Sequence, residues 1–153
     1  MTERMHETAS LDLSRATGVA VHAAEAAGQL LRTRSHGPLG ARAKDASGDL
    51  VTDLDLAAEE VILGRLRAAY PDHQLISEEA GVSGAAGAAW TWLVDPLDGT
   101  NNLAVGLSDY VVGIALCERR RPVLGVVHEP VTGRTWSAVR GRGACVDGAP
   151  LLP

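Results

Sequence analysis

The stretch WLVDPLDGTNNLAVG, Trp92 to Gly106, ends a strand-like apolar run in two acids, Asp95 and Asp98. Pro96 and Gly99 impose turns between and after them, and such turns can aim both carboxylates at one point. Two close carboxylates are costly unless a cation neutralises them. Hard oxygen ligands select Mg2+ or a similar ion, usually with a substrate phosphate completing the shell. Gly99-Thr100-Asn101 can open a short helix whose free backbone N–H groups face an anion. A metal beside an N–H cradle is a phosphate site. A strand–turn motif with a helix cap and no ligand would use the same residues.

Two further acidic clusters lie upstream. Glu78 and Glu79 follow the run HQLIS (His73–Ser77), where adjacent acids also suit a solvated strand edge. The segment KDASGDLVTDLD spans Lys44 to Asp55. Thr52 and Asp55 have capping-box spacing, so Asp55 can simply start a helix, and Asp49 can serve a turn. Lys44 is the only lysine among 14 basic residues, a compact ammonium in a chain that otherwise uses arginine. Serine-nucleophile chemistry has no comparable support. The five histidines are scattered, no G-x-S-x-G occurs, and His128 reads as a strand residue with a satisfied hydrogen bond.

The elements that must position these acids can be read from periodicity. Leu13, Ala16, Ala20, Ala23, Ala27 and Leu31 recur at helical spacing between Leu11 and Arg34. SHGPLGA (Ser35–Ala41) then breaks the pattern. A second helix starts at Thr52, with Leu54, Ala57, Ala58, Val61, Ile62, Leu66 and Ala69 on one face and Pro71 as a stop signal. Short strands follow at His73–Ser77, Trp90–Val94, Val111–Cys117, Val123–His128 and Arg134–Val139. The small residues Gly81–Ala89 read as a flexible loop, and ACVDG (Ala144–Gly148) begins a hairpin on a DG turn. Helices followed by consecutive strands predict an α+β domain, two N-terminal helices packed on a largely antiparallel sheet.

The 153 residues predict one domain over residues 11–153, behind a disordered polar tail at residues 1–10. Phenylalanine is absent, so the core rests on Ala, Val, Leu and a few Trp. Net charge is −5, and Arg119-Arg120-Arg121 is too short a basic run for a nucleic-acid footprint. No apolar run suits a membrane span. Cys117 and Cys145 sit in apolar segments and are expected to be buried and inert. A reducing cytoplasm fits this composition.

Taken together, the clusters resemble those of the inositol monophosphatase family of metal-dependent phosphatases. The family hallmark D-P-[LI]-D-G-T stands here as DPLDGT, Asp95–Thr100. Its upstream Glu-Glu pair stands in ISEEAG (Ile76–Gly81), and K-x4-D-[LI]-V-T-x2-D stands as Lys44–Asp55. The segment Gly125–Gly148 follows its strand–turn–strand pattern.

The resemblance implies roles. Glu78, Asp95 and the Leu97 carbonyl would hold a first Mg2+, and Asp95 and Asp98 a second. Glu79 would support the site or a weaker third ion. Thr100, paired with Asp55, would activate the attacking water. Gly99 and Thr100 N–H groups would bind phosphate, and Lys44 would sit in a loop that closes on the site. The implied substrate is a small phosphate ester. The alternatives are a nucleotide 3′-phosphatase or histidinol-phosphate phosphatase, and a non-catalytic metal- or phosphate-binding fragment.

Two departures bear on this. TNNL (Thr100–Leu103) replaces the aromatic-ended TNF of typical inositol phosphatases, leaving the substrate open. The family also continues into a second α/β domain whose W-D motif completes the second metal site. Its absence here predicts either a missing C-terminal domain or a homodimer that supplies the rest, with an apolar face left to associate.

Overall fold

A computed structural model describes residues 11–35, 39–43 and 50–152. The expected tail at 1–10, together with Lys44 and Asp49, lies outside them. Helix α1 spans Leu13–Arg34 and opens on Asp12, whose carboxylate accepts the N–H groups of Ser14 (2.9 Å) and Arg15 (3.1 Å). Its buried stripe is Ala16, Ala20, Ala23, Ala24, Ala27, Gly28 and Leu31. Small side chains let the helix lie close on the sheet. At Gly28 an added Cβ would sit 2.3 Å from the His128 ring.

A two-stranded ribbon, β1 (Arg42–Ala43) and β2 (Leu50–Val51), precedes helix α2 (Asp53–Ala69). The capping box expected from Thr52 and Asp55 is present. Strand β3 (Gln74–Ser77) follows, then β4 (Gly81–Gly84), β5 (Trp90–Asp98), the short helix α3 (Thr100–Ala104) and β6 (Val111–Glu118). The chain continues through β7 (Arg121–Glu129), β8 (Arg134–Val139), β9 (Gly143–Val146) and β10 (Ala149–Pro150).

Eight strands form one sheet in the order β10-β9-β8-β7-β6-β5-β3-β4. Every pairing is antiparallel except β3 with β5, which is parallel, Ser77 opposite Val94. The α+β class is therefore correct, and both long helices pack on one face of the sheet. Their core includes Ile62, Leu66, Leu75, Trp92, Val112, Leu116 and Val126. Among the described residues, no helix is long and apolar enough to cross a membrane.

Three expectations need correction. Gly81–Ala89 is not simply a loop, because Gly81–Gly84 pairs with β3 as an edge strand. Gly81 and Gly84 both have positive φ, and a Cβ at Gly84 would meet the His73 carbonyl oxygen at 2.4 Å, so the strand needs glycine there. The strand from Trp90 does not stop at Val94. It runs to Asp98 through a bulge, since Asp95 faces Gly113 and Asp98 faces Val111. Cys117 is buried as expected, but Cys145 is only half-buried, in the peripheral strand β9. His128 behaves as expected, with Nδ1 2.9 Å from the buried Thr135 hydroxyl.

Candidate active site

The parallel pair β3–β5 is what gathers the acids. Parallel strands end on the same side, so Glu78, just past β3, arrives beside Asp95 in β5. The Glu78 N–H extends the ladder to the Val94 carbonyl at 3.2 Å. The bulge then carries Pro96 and Leu97 into the core and returns Asp98 to the surface. Proline lacks a ladder donor, and the bulge is where that loss is tolerated.

Gly99 turns the chain with φ 105°. A Cβ there would lie 2.7 Å from the Asp109 carbonyl oxygen and 3.1 Å from Tyr110. Both backbone angle and space therefore demand glycine. Thr100 opens α3. Its hydroxyl lies 2.7 Å from Asp55 Oδ1 and 3.0 Å from the Leu97 carbonyl oxygen, with the carboxylate the shorter contact. Asp55 Oδ2 accepts the Thr52 N–H (2.7 Å) and the Thr52 hydroxyl (2.5 Å). Asp55 thus caps its helix with one oxygen and holds Thr100 with the other. The two readings of this residue are compatible.

Glu78, Asp95, Asp98, Gly99, Thr100 and Asn101, with Leu50 and Leu97, line an open cleft of about 310 Å³. Its titratable lining is acidic. Burial, then the nearby Glu78 and Asp98 carboxylates, raise the Asp95 carboxyl from 3.8 to about 6, against the Leu97 N–H that Asp95 Oδ1 accepts at 3.2 Å. Crowded oxygen donors with this charge suit a hard divalent cation. Among the described residues, no three His, Cys, Asp or Glu side chains are already arrayed as a ligand set. Glu78 and Asp98 are exposed at their strand ends.

Of the residues singled out from sequence, Asp55, Glu78, Asp95, Leu97, Asp98, Gly99 and Thr100 meet around this cleft. Glu79 is half-buried in the turn after Glu78 and is not among the cleft-lining residues. Lys44 lies outside the described residues. The departure at TNNL has a structural reading: Leu103 is buried in the core and faces away from the cleft, while Asn101 lines it. Asn102 donates to the Asp109 carbonyl at 2.7 Å and pins the loop beside Gly99.

One residue escaped the sequence reading. Glu59, on α2, is buried, and its Oε1 accepts the Ser77 hydroxyl and the N–H groups of Glu79 (3.1 Å) and Ala80 (3.0 Å). The available signal was its place on the buried helical stripe, four residues after Asp55 and three before Ile62.

The inositol monophosphatase family model matches residues 12–153. Nus factor SuhB of Escherichia coli K12 is 37% identical over 134 residues, covering 87% of this chain and 50% of the relative. Inositol monophosphatase 2 of Solanum lycopersicum is also 37% identical, over 139 residues, covering 87% of this chain and 51% of its own. The crystal structure of extragenic suppressor protein suhB from Bartonella henselae superposes with a TM-score of 0.81 at 31% identity, covering 87% of this chain and 51% of that one. The chain spans about half the length of the relatives it matches. The exclusion of a nucleic-acid partner, read from charge, finds no support in relatives named as Nus factors. With the hallmark residues assembled on this fold, the chain belongs to the inositol monophosphatase family.

Proposed function

We propose that this chain carries the metal- and phosphate-binding half of a Mg2+-dependent phosphomonoesterase that acts on a small phosphate ester. The observation that carries the reading is the Thr100–Asp55 hydrogen bond at the rim of a cleft lined by Glu78, Asp95 and Asp98. Glu78, Asp95 and the Leu97 carbonyl would hold one ion, and Asp95 with Asp98 a second. Glu79 would serve the site from the adjoining turn. Two or three Mg2+ ions held by these residues would supply a lowered pKa for a coordinated water and charge stabilisation for the leaving alkoxide.

The chain's own residues supply the rest. Asp55 is fixed by Thr52 through one oxygen, so its other oxygen is a fixed acceptor for the Thr100 proton. Thr100, its proton committed to Asp55, presents lone pairs to a water and can receive that water's proton as it passes its own to Asp55. The Gly99 and Thr100 N–H groups are the proposed contacts to phosphate, and Lys44 is proposed to approach from its own segment. A second domain, or a second copy, would complete the cleft.

The test is phosphate release with and without Mg2+ from inositol 1-phosphate, adenosine 3′,5′-bisphosphate and histidinol phosphate. Mg2+-dependent turnover of one of these is expected, and Asp95→Asn should lower it by about 100-fold or more. Turnover equal in the variant would sink the assignment. A second reading is a binding role without catalysis, favoured by relatives named Nus factor. Mg2+ binding with no turnover, here and in a chain extended by the second domain, would select it.

A further inference from the structure

We propose that Glu59 is the positioning residue of this cleft: through one buried oxygen it fixes the turn carrying Glu78 and Glu79, and so sets the affinity for a divalent cation. The metal part of this inference rests on the function proposed above.

Three donors converge on Glu59 Oε1. They are the hydroxyl of Ser77, at the end of β3, and the N–H groups of Glu79 and Ala80 in the turn beyond it. Hydrogen bonds from backbone N–H to a carboxylate are about twice as strong as neutral ones. Glu78, between them, is tied to β5 through its own N–H. The backbone on both sides of the Glu78 side chain is therefore held, and its direction follows.

The helix links this turn to the other wall of the cleft. Asp55 and Glu59 are four residues apart, on one face of α2. Asp55 reaches Thr100, after β5, while Glu59 reaches the turn after β3. One rigid helix thus sets the separation between the strand ends that carry Glu78 and Asp95.

The position of an oxygen, rather than its charge, is what the geometry requires. Glu59→Gln keeps an acceptor oxygen at the same reach. Glu59→Asp keeps the charge but draws it back by one methylene. Amide hydrogen exchange and Mn2+ binding, followed by electron paramagnetic resonance, should be measured on both variants and the unaltered chain. The amides of β5 and β6 serve as the control for intact folding.

In Glu59→Asp the Glu79 and Ala80 amides should lose protection, and Mn2+ affinity should fall by about 10- to 100-fold, the usual range for residues that orient metal ligands. In Glu59→Gln, which keeps the acceptor in place but makes its bonds neutral, protection should be lost less and affinity should fall less than in Glu59→Asp. Retained protection in Glu59→Asp would overturn the proposal, as would unchanged affinity once protection is lost. So would the reverse ranking of the two variants. Failure of the unaltered chain to bind Mn2+ would remove the metal reading and the affinity clause with it, while the exchange result would still decide the positioning role.

Discussion

On the sheet face toward α1 and α2, Trp92, Ile114, Leu116 and Val126 are almost wholly buried. On the opposite face Ile76, Leu93 and Val127 remain 37%, 39% and 42% exposed. Leu93 and Val127 are each one residue from a buried neighbour in the same strand. A half-solvated antiparallel sheet normally alternates apolar with polar residues. Here VVGIALC and VLGVVH are apolar on both faces, and the bare face forms an apolar groove of about 510 Å³ reaching Glu78 and Asp95. The difference teaches that composition alone does not say which face is covered. Packing against the Ala-rich stripe of α1 and the buried face of α2 does.

The comparison breaks most visibly at Trp92. Trp92→Ala on the covered face should cost about 3–5 kcal/mol, because the largest fully buried side chain leaves a cavity. Urea denaturation of both proteins measures this, and a loss below about 1 kcal/mol would mean that the two faces are equivalent.

A smaller effect concerns acid. Burial lowers the His128 pKa on the covered face, with Glu25 partly opposing and Arg32 adding to the shift. The unfolded chain takes up this proton near pH 6.5, the folded chain only below it, so the unfolded state binds more protons in that window. Stability should therefore fall as pH drops below about 6.5. Asp95 acts oppositely between 3.8 and about 6, because its folded pKa is raised. The His128 part is thus the difference between wild type and His128→Gln. The variant should show the shallower loss of Tm on acidification, and parallel curves would count against it.

The smallest effect belongs to the bare face. Leu93→Thr should change unfolding free energy by no more than about 0.5 kcal/mol. A loss approaching that of Trp92→Ala in the same urea titration would show that this face is covered in solution.

Much of this was legible because its signals are local. Asp55 announced its cap through Thr52, and α1 announced its stripe through alanines at helical spacing. The DPLDGT acids were legible as a pair, but the path between them was not. Pro96 suggested a turn, whereas cross-strand pairing with β6 absorbs it as a bulge. Strand β4 was hidden because its glycines look like a loop until β3 pairs with them. Glu59 was hidden for a related reason. Nothing beside it in sequence says that its partners lie 18 to 21 residues away.

Those separations bear on how the protein comes to exist. The capping box at Thr52 closes within three residues, whereas Thr100 meets Asp55 across 45. Loop-closure entropy opposes the long contact and hardly touches the short one. The helices can begin to form while the cleft has no shape. The acidic site exists only where the parallel strands are in register, so an intact cleft reports that the centre of the sheet is correctly paired.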